Sequence, residues 1–181
     1  MKKILCKFIL HLTGWKTGYD GGIVRKSVIC VAPHTSNWDL IIGKLFYNAL
    51  GRKSKFLIKK EWFFFPLNLI FSSMGGIPIN RGHSLSTTEH LAEEFSRHDT
   101  FHLAITPEGT RKKTPEWKKG FYYIALKAQV PIQVAYIDYA KKEVGIKANF
   151  YPNGNVDEDI MTIRAMYEGV TGFHRKNFTS Q

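Results

Sequence analysis

Apolar residues fall into two kinds of run along the chain, and together they predict strands that alternate with helices. Short unbroken runs rich in β-branched residues are typical of strands buried on both faces of a sheet. Runs in which apolar residues recur every three or four positions are typical of helices that pack on one face. Strands are expected at residues 27–32, 55–59, 75–81, 101–106, 131–139 and 143–151, and helices at residues 38–50, 86–97, 117–128 and 155–170. The alternation predicts an α/β fold with a layered mixed sheet flanked by helices.

Residues 1–15 predict a short amphipathic helix at the N-terminus. One face of this helix is apolar and the opposite face carries Lys3, Lys7 and His11. The apolar face is formed by Ile4, Leu5, Phe8, Ile9 and Leu12. Basic residues interrupt the apolar run and no small-residue cleavage site follows, so we reject a signal peptide. The pattern suits a helix lying in a membrane interface, and it equally suits a short helix packed on the body of the domain.

The longest uncharged stretch is residues 62–80, and its length would allow it to cross a bilayer. Prolines and glycines within it make one continuous lipid-buried helix a poor interpretation. Its aromatic beginning, W-F-F-F-P, fits a surface that enters lipid, a pocket for an acyl chain, or ordinary core. The sequence leaves these three alternatives open.

Residues 31–39 read V-A-P-H-T-S-N-W-D and join a predicted strand to a predicted helix. Pro33 ends the strand because proline cannot donate to a sheet ladder. His34 should therefore lie on the turn, with Asp39 in the first turn of the helix that starts at Trp38. A carboxylate in this place can bind one ring nitrogen and leave the other free to take a proton, as a general base does. The same spacing also suits a turn-capping histidine beside an aspartate at a helix N-terminus.

Two further polar clusters follow predicted strands. Asn80 and Arg81 come at the end of one short strand, and the loop P-E-G-T-R at residues 107–111 follows another. In open α/β sheets, ligands bind at the edge where parallel strands end. We therefore expect these clusters to share one cleft with His34. The glycine of the loop, Gly109, would let backbone N–H groups approach a ligand closely.

Composition narrows the partners of the protein. A length of 181 residues, with 44% apolar and 14% aromatic residues, predicts a single globular domain covering residues 1–181. A formal net charge of +11 predicts an acidic partner, such as a phosphate-bearing substrate, an anionic membrane surface or nucleic acid. The two cysteines, Cys6 and Cys30, suggest neither a disulfide framework nor a zinc site, and they favour a reducing compartment.

Four blocks, in order, resemble the glycerolipid acyltransferases of the lysophosphatidic acid acyltransferase type, also called 1-acylglycerol-3-phosphate acyltransferase-like. They are H-T-S-N-W-D at residues 34–39, G-G-I-P-I-N-R at 75–81, P-E-G-T-R at 107–111 and V-P-I-Q-V at 130–134. The K-K-G at residues 118–120 is also similar to the family. The blocks cover about a hundred residues, more than half of the chain. Thr106 and Pro33 depart from the residues usual in the family at these places.

The resemblance implies a role for each matching residue. His34 would be the catalytic base and Asp39 the residue that orients it. The acceptor, and above all its phosphate, would be bound by Asn80, Arg81, Glu108, Gly109, Thr110 and Arg111. The family is associated with the cytoplasmic side of membranes as peripheral or monotopic enzymes. It transfers acyl groups from acyl-CoA or acyl-ACP to lysophospholipids and uses no cofactor or metal. Glu108 could instead pair structurally with a neighbouring arginine.

The residues themselves favour a direct transfer over a covalent acyl-enzyme. The chain contains no G-x-S-x-G nucleophile elbow, and neither cysteine lies beside the histidine motif. Backbone amides near the turn are the expected oxyanion donors. A thioester hydrolase would use the same residues, and a basic lipid-binding or nucleic-acid-binding module without catalysis would explain the charge. The dispersed K-K pairs and the lack of a recognised motif disfavour nucleic acid.

Overall fold

A single mixed sheet organises the protein, whose computed structural model describes residues 1–79 and 84–178, with residues 84–86 described by their backbone alone. Within these ranges the sheet has seven strands, in the order β1-β7-β6-β2-β5-β3-β4. They are β1 (Lys16–Thr17), β2 (Lys26–Ala32), β3 (Lys55–Lys59), β4 (Gly76–Ile79), β5 (Phe101–Ile105), β6 (Ile132–Asp138) and β7 (Glu143–Phe150). Neighbouring strands are parallel except for β6 and β7, which form an antiparallel pair.

Helices connect the strands and cover both faces of the sheet. They are α1 (Lys2–Leu12), α2 (Trp38–Ala49), α3 (Leu67–Met74), α4 (Ser84–Ser96), α5 (Gly120–Ala128) and α6 (Val156–Ala165), with 3₁₀ turns at Lys60–Trp62 and Arg175–Asn177. Alternate residues of β2 point to opposite faces, so Val28 and Cys30 enter one core while Ile29 enters the other. The first core also contains side chains of α4, α5 and α6, and the second contains side chains of α1 and α2. The predicted layered α/β fold is confirmed.

Several predicted boundaries were wrong. The predicted start of the helix at residue 86 rested on the spacing of Ser86 and Glu89, which resembles a capping box. Helix α4 begins at Ser84, so Ser86 lies inside the helix and is not its N-cap. Helix α5 begins at Gly120 rather than at residue 117, because the amide of Lys118 donates to the carbonyl of Pro107 and keeps this segment in the loop. Helix α6 ends at Ala165 because the chain then tightens into turns, such as the one in which Val170 N–H donates to the carbonyl of Tyr167. Strand β1 and helix α3 were not predicted.

Helix α1 packs on the body of the domain, as one interpretation of the N-terminal pattern predicted, and a place in a membrane interface stays a prediction. It packs on α2 and buries Cys6 and Leu10 in the core they share. Its outer side leaves four large apolar side chains exposed, namely Ile4, Leu5, Phe8 and Leu12. In the part of the chain that the structure describes, no helix is both long enough and apolar enough to cross a bilayer.

The carboxyl ends of the central strands meet at one edge of the sheet. Strands β2, β5 and β6 are parallel, with β2 in the middle, so the segments that follow them lie side by side. Strands β3 and β4 run in the same direction. We call this side of the molecule the carboxyl edge. It carries the turn at residue 34, the loop at residues 107–111 and the residues that follow β6.

Candidate active site

His34 and Asp39 meet at the carboxyl edge as the spacing predicts. The Nδ1 atom of His34 lies 3.1 Å from Oδ2 of Asp39. Because a carboxylate only accepts hydrogen bonds, Nδ1 carries the proton and Nε2 is left unprotonated in the neutral ring. The imidazole is 19% exposed while the carboxylate is 2% exposed. A buried acceptor therefore orients a ring that an incoming molecule can still reach.

The carboxylate of Asp39 is held from several sides. Its Oδ2 atom also accepts the amides of Thr35, at 2.8 Å, and Ser36, at 2.9 Å. Its Oδ1 atom accepts the hydroxyl of Tyr139 at 2.7 Å. Four donors thus compensate for removing this charge from water. Asp39 also fixes the turn, because its side chain accepts the backbone amides of Thr35 and Ser36, which lie between His34 and Asp39.

Glu108 joins the P-E-G-T-R loop to the same turn. Its Oε1 atom accepts the amide of His34 at 2.8 Å, and the residue is 4% exposed. Burial, reinforced by the negative charge of Asp39, raises the pKa of Glu108 to about 7 against the partial opposition of the His34 amide. Among the described residues, no arginine forms an ion pair with this carboxylate. The geometry gives Glu108 a role in holding the backbone of His34, and contact with a substrate stays a prediction.

The backbone amides of the turn already have hydrogen-bond acceptors within the protein. The N–H groups of His34, Thr35 and Ser36 all donate to carboxylates within the protein. The expectation that amides near the turn stabilise an oxyanion is therefore wrong for these three. An oxyanion formed beside His34 needs other donors.

The rest of the loop presents its polar groups outward. Gly109 has a φ of +63°, a left-handed conformation, and a Cβ there would lie 2.8 Å from Cε of Lys118. The left-handed backbone therefore favours glycine at this position, and a Cβ would also require the flexible side chain of Lys118 to move. Thr110 is partly buried and accepts the amide of Lys112 at 3.2 Å, while Arg111 is exposed. The described loop therefore offers an exposed guanidinium on the same edge as His34.

Two predicted site residues cannot be placed. Asn80 and Arg81 lie outside the described residues. Strand β4, which ends at Ile79, points its carboxyl end toward the carboxyl edge. The part of Asn80 and Arg81 in the site stays a prediction.

Sequence reasoning missed two contributors to the site. Tyr139 directly follows β6, so the rule that drew attention to polar residues after strands could have identified it. The second is the segment from Thr171 to Phe178, which returns to the site. The His174 amide donates to Oγ1 of Thr35 at 3.2 Å, and Asn177 Nδ2 donates to the carbonyl of Arg111 at 3.1 Å. No pattern in this segment indicated such contacts.

No metal centre is indicated by the described side chains. Among residues 1–79 and 84–178, histidine, cysteine and carboxylate side chains form no group of three that could hold a metal ion. Cys6 and Cys30 are free thiols, and both are buried. That the protein needs no cofactor stays a prediction.

The fold and the site define an α/β protein with a hydrogen-bonded histidine–aspartate pair at the carboxyl edge of its sheet. A family model described as Acyltransferase matches residues 18–138, which include the whole pair and the P-E-G-T-R loop. The chain belongs to this family, as its sequence motifs had indicated.

Two known proteins are similar to the chain. The 1-acyl-sn-glycerol-3-phosphate acyltransferase beta of Homo sapiens is 30% identical over 139 residues, which make up 74% of this chain and 49% of the human protein. The chain thus spans about half the length of this relative. The crystal structure of the 1-acyl-sn-glycerophosphate (LPA) acyltransferase PlsC from Thermotoga maritima matches with a TM-score of 0.60 and 19% identity. That match covers 93% of this chain and 74% of that one. At this identity the match supports the fold.

Proposed function

We propose that the protein transfers a fatty acyl group from an acyl thioester to a hydroxyl of a lysophospholipid such as 1-acylglycerol-3-phosphate. The observation that carries this proposal is the contact between Nδ1 of His34 and the buried carboxylate of Asp39, beside the P-E-G-T-R loop. Membership of the acyltransferase family and the named activity of the human relative support it. The donor is acyl-CoA or acyl-ACP, and no cofactor or metal takes part.

The chemistry follows from the orientation of the imidazole. Nε2 of His34 takes the proton of the acceptor hydroxyl as its oxygen attacks the thioester carbonyl. The buried carboxylate of Asp39 stabilises the imidazolium that forms. When the tetrahedral intermediate collapses, the carbon–sulfur bond breaks and the imidazolium returns its proton to the departing thiolate. The products are the ester and the free thiol, and the base is regenerated.

The phosphate of the acceptor needs a cation near this base. Arg111 is exposed on the loop that Glu108 ties to His34, and a guanidinium can donate two parallel hydrogen bonds to a phosphate. Gly109 and Thr110 lie between these two residues and bring the backbone of the loop to the same place. Asn80 and Arg81 would complete the phosphate site from β4. Lys118, whose side chain lies over Gly109, adds positive charge there.

The acceptor is a lipid, so the carboxyl edge must reach a membrane, and the protein would act at the cytoplasmic side as a peripheral or monotopic enzyme. Strand β3 leads at this edge into the aromatic segment at residues 62–65, where Trp62, Phe64 and Phe65 are exposed. Such a patch marks an interaction surface rather than ordinary solvent-facing structure. The adjacent Lys59 and Lys60 and the net charge of +11 suit anionic headgroups.

Flotation with liposomes tests the membrane role. We expect the protein to float with anionic vesicles more than with neutral ones, and Phe65→Glu to reduce flotation. The matched control is Tyr151→Glu, because Tyr151 is 69% exposed but follows the antiparallel β7 and lies at the opposite edge. Equal flotation of both variants and wild type would exclude the aromatic segment. A gel shift on random DNA, with no shift expected, tests the nucleic-acid alternative.

Thiol release from acyl-CoA and from acyl-ACP, with and without a panel of lysolipids, tests the proposed reaction. Wild type should release thiol only when an acceptor is present and should form the diacyl product. His34→Ala should lower turnover by roughly 10²–10⁴-fold, with an unchanged circular dichroism spectrum. Thiol release that needs no acceptor would identify a thioester hydrolase, and equal loss of folding and activity would identify His34 as structural.

A further inference from the structure

We propose that Tyr139 is a positioning residue for the base: its hydroxyl fixes the carboxylate of Asp39 in the orientation that holds His34. This inference rests on the proposed acyl transfer and adds a third member to the His34–Asp39 pair. Tyr139 lies outside the four sequence blocks that resemble the family, immediately after β6.

The hydrogen bond has the geometry of a directed contact. The hydroxyl of Tyr139 lies 2.7 Å from Oδ1 of Asp39, the one carboxylate oxygen that no turn amide occupies. Oδ2 accepts hydrogen bonds from His34 and from two backbone amides, whereas Oδ1 accepts the hydroxyl of Tyr139. A partial rotation of the carboxylate about its Cβ–Cγ bond would move one oxygen out of line with Nδ1 of His34 and the other away from Tyr139. Tyr139 opposes this rotation from the side opposite the turn.

The ring of Tyr139 is itself held in place. Trp15 contacts it edge to face with centroids 5.1 Å apart, and Phe173 does so from the C-terminal segment at 5.2 Å. The amide of Tyr139 donates to the carbonyl of Thr171 at 2.8 Å. The phenol therefore reaches Asp39 from a fixed backbone and a fixed ring, as a positioning role requires.

The phenol also stays a donor throughout the working pH range. Burial, followed by its hydrogen bond to Asp39, raises the pKa of Tyr139 above its ordinary value. A protonated hydroxyl beside a carboxylate can only donate to it, so the direction of the bond is fixed. A charge-assisted bond of this kind is stronger than one between neutral groups.

Tyr139→Phe tests the proposal because it removes the hydroxyl and keeps the ring between Trp15 and Phe173. We expect kcat to fall about tenfold, the size of effect given by losing a hydrogen bond to a charged group. KM for the donor and for the acceptor should not change, because the hydroxyl donates to Asp39 and acts through it. The matched control is Tyr47→Phe, which removes a buried hydroxyl that donates to Gln133 at 2.6 Å and does not contact Asp39. It should leave kcat at the wild-type value.

Proton NMR of the His34 Nδ1–H signal gives a second readout that needs no substrate. The signal is identified by its absence from the His34→Ala spectrum. We expect it to move in Tyr139→Phe and to stay in place in Tyr47→Phe. Wild-type kcat in Tyr139→Phe, equal losses in both variants, or an unmoved Nδ1–H signal would each overturn the proposal. If wild type itself shows no lysolipid-dependent transfer, the proposed function fails, while the NMR comparison still decides the role of Tyr139.

Discussion

Replacing Glu108 with glutamine should change how the stability of the protein depends on pH. In the folded protein the pKa of Glu108 is about 7, compared with an ordinary value of 4.5. The folded state therefore binds this proton more tightly than the unfolded state does. The stability that this proton contributes is fully present below the unfolded pKa and is lost as the pH rises through the folded pKa. Above that range the wild type must keep a buried carboxylate charged beside Asp39.

The size of the effect follows from the pKa difference. The shift from 4.5 to about 7 corresponds to about 3 kcal/mol, at about 1.4 kcal/mol for each pH unit. Glutamine cannot ionise, yet its carbonyl oxygen can still accept the amide of His34. The unfolding free energy of Glu108→Gln, minus that of wild type, should therefore increase by up to about 3 kcal/mol between about pH 4.5 and about pH 8.5.

Urea unfolding followed by tryptophan fluorescence measures this difference at several pH values across that range. His102 titrates in the opposite sense, because burial lowers its pKa to about 4, but it is present in both proteins and cancels in the difference. Glu116→Gln is the matched control, because it removes an exposed carboxylate from the same loop region. A difference between Glu108→Gln and wild type that stays constant with pH would refute the reasoning.

Three further variants probe the site from different sides. Asp39→Asn should lower kcat strongly with little change in KM for the donor, and steady-state kinetics that show near-normal kcat would remove Asp39 from the pair. Arg111→Ala should raise KM for a phosphorylated acceptor but not for an acceptor without phosphate, and an unchanged KM contradicts the phosphate role. Gly172→Ala would place a Cβ 2.8 Å from Oγ1 of Thr35, so it should lower unfolding stability by about 1–3 kcal/mol and reduce kcat. Gly43→Ala, where a Cβ meets open space, is its control and should not destabilise.

The arrangement of His34 and Asp39 could be predicted because the constraints on it are local. Pro33 directly follows β2, α2 starts at Trp38, and only four residues lie between His34 and Asp39. A strand followed so closely by a helix leaves few conformations in which the two side chains could fail to meet. The position of Glu108 followed from a rule almost as simple, since parallel neighbouring strands end at the same edge.

The partners of this pair could not be predicted, because they depend on distant packing. Nothing in the letters P-E-G-T-R states that the carboxylate of Glu108 turns inward to the His34 amide instead of outward to a ligand. The same holds for the segment after Val170, whose contacts with Thr35 and the Arg111 carbonyl are made by a backbone amide and a single asparagine. The predicted start of α4 was wrong because the cap-like spacing of Ser86 and Glu89 begins within the first turn of the helix.

The C-terminal segment has a consequence for when the protein becomes competent during its synthesis. A nascent chain has His34, Asp39 and the P-E-G-T-R loop once residue 111 has been made. However, the hydroxyl that holds Asp39 lies 100 positions further along the chain than Asp39 itself, and the amide bound to Thr35 lies 139 positions beyond that threonine. Contacts that join such distant positions form late, because they close long loops. A ribosome-bound intermediate would therefore contain the recognisable motifs without the contacts of Tyr139 and His174, and the proposed acyl transfer would begin only after this segment has been made.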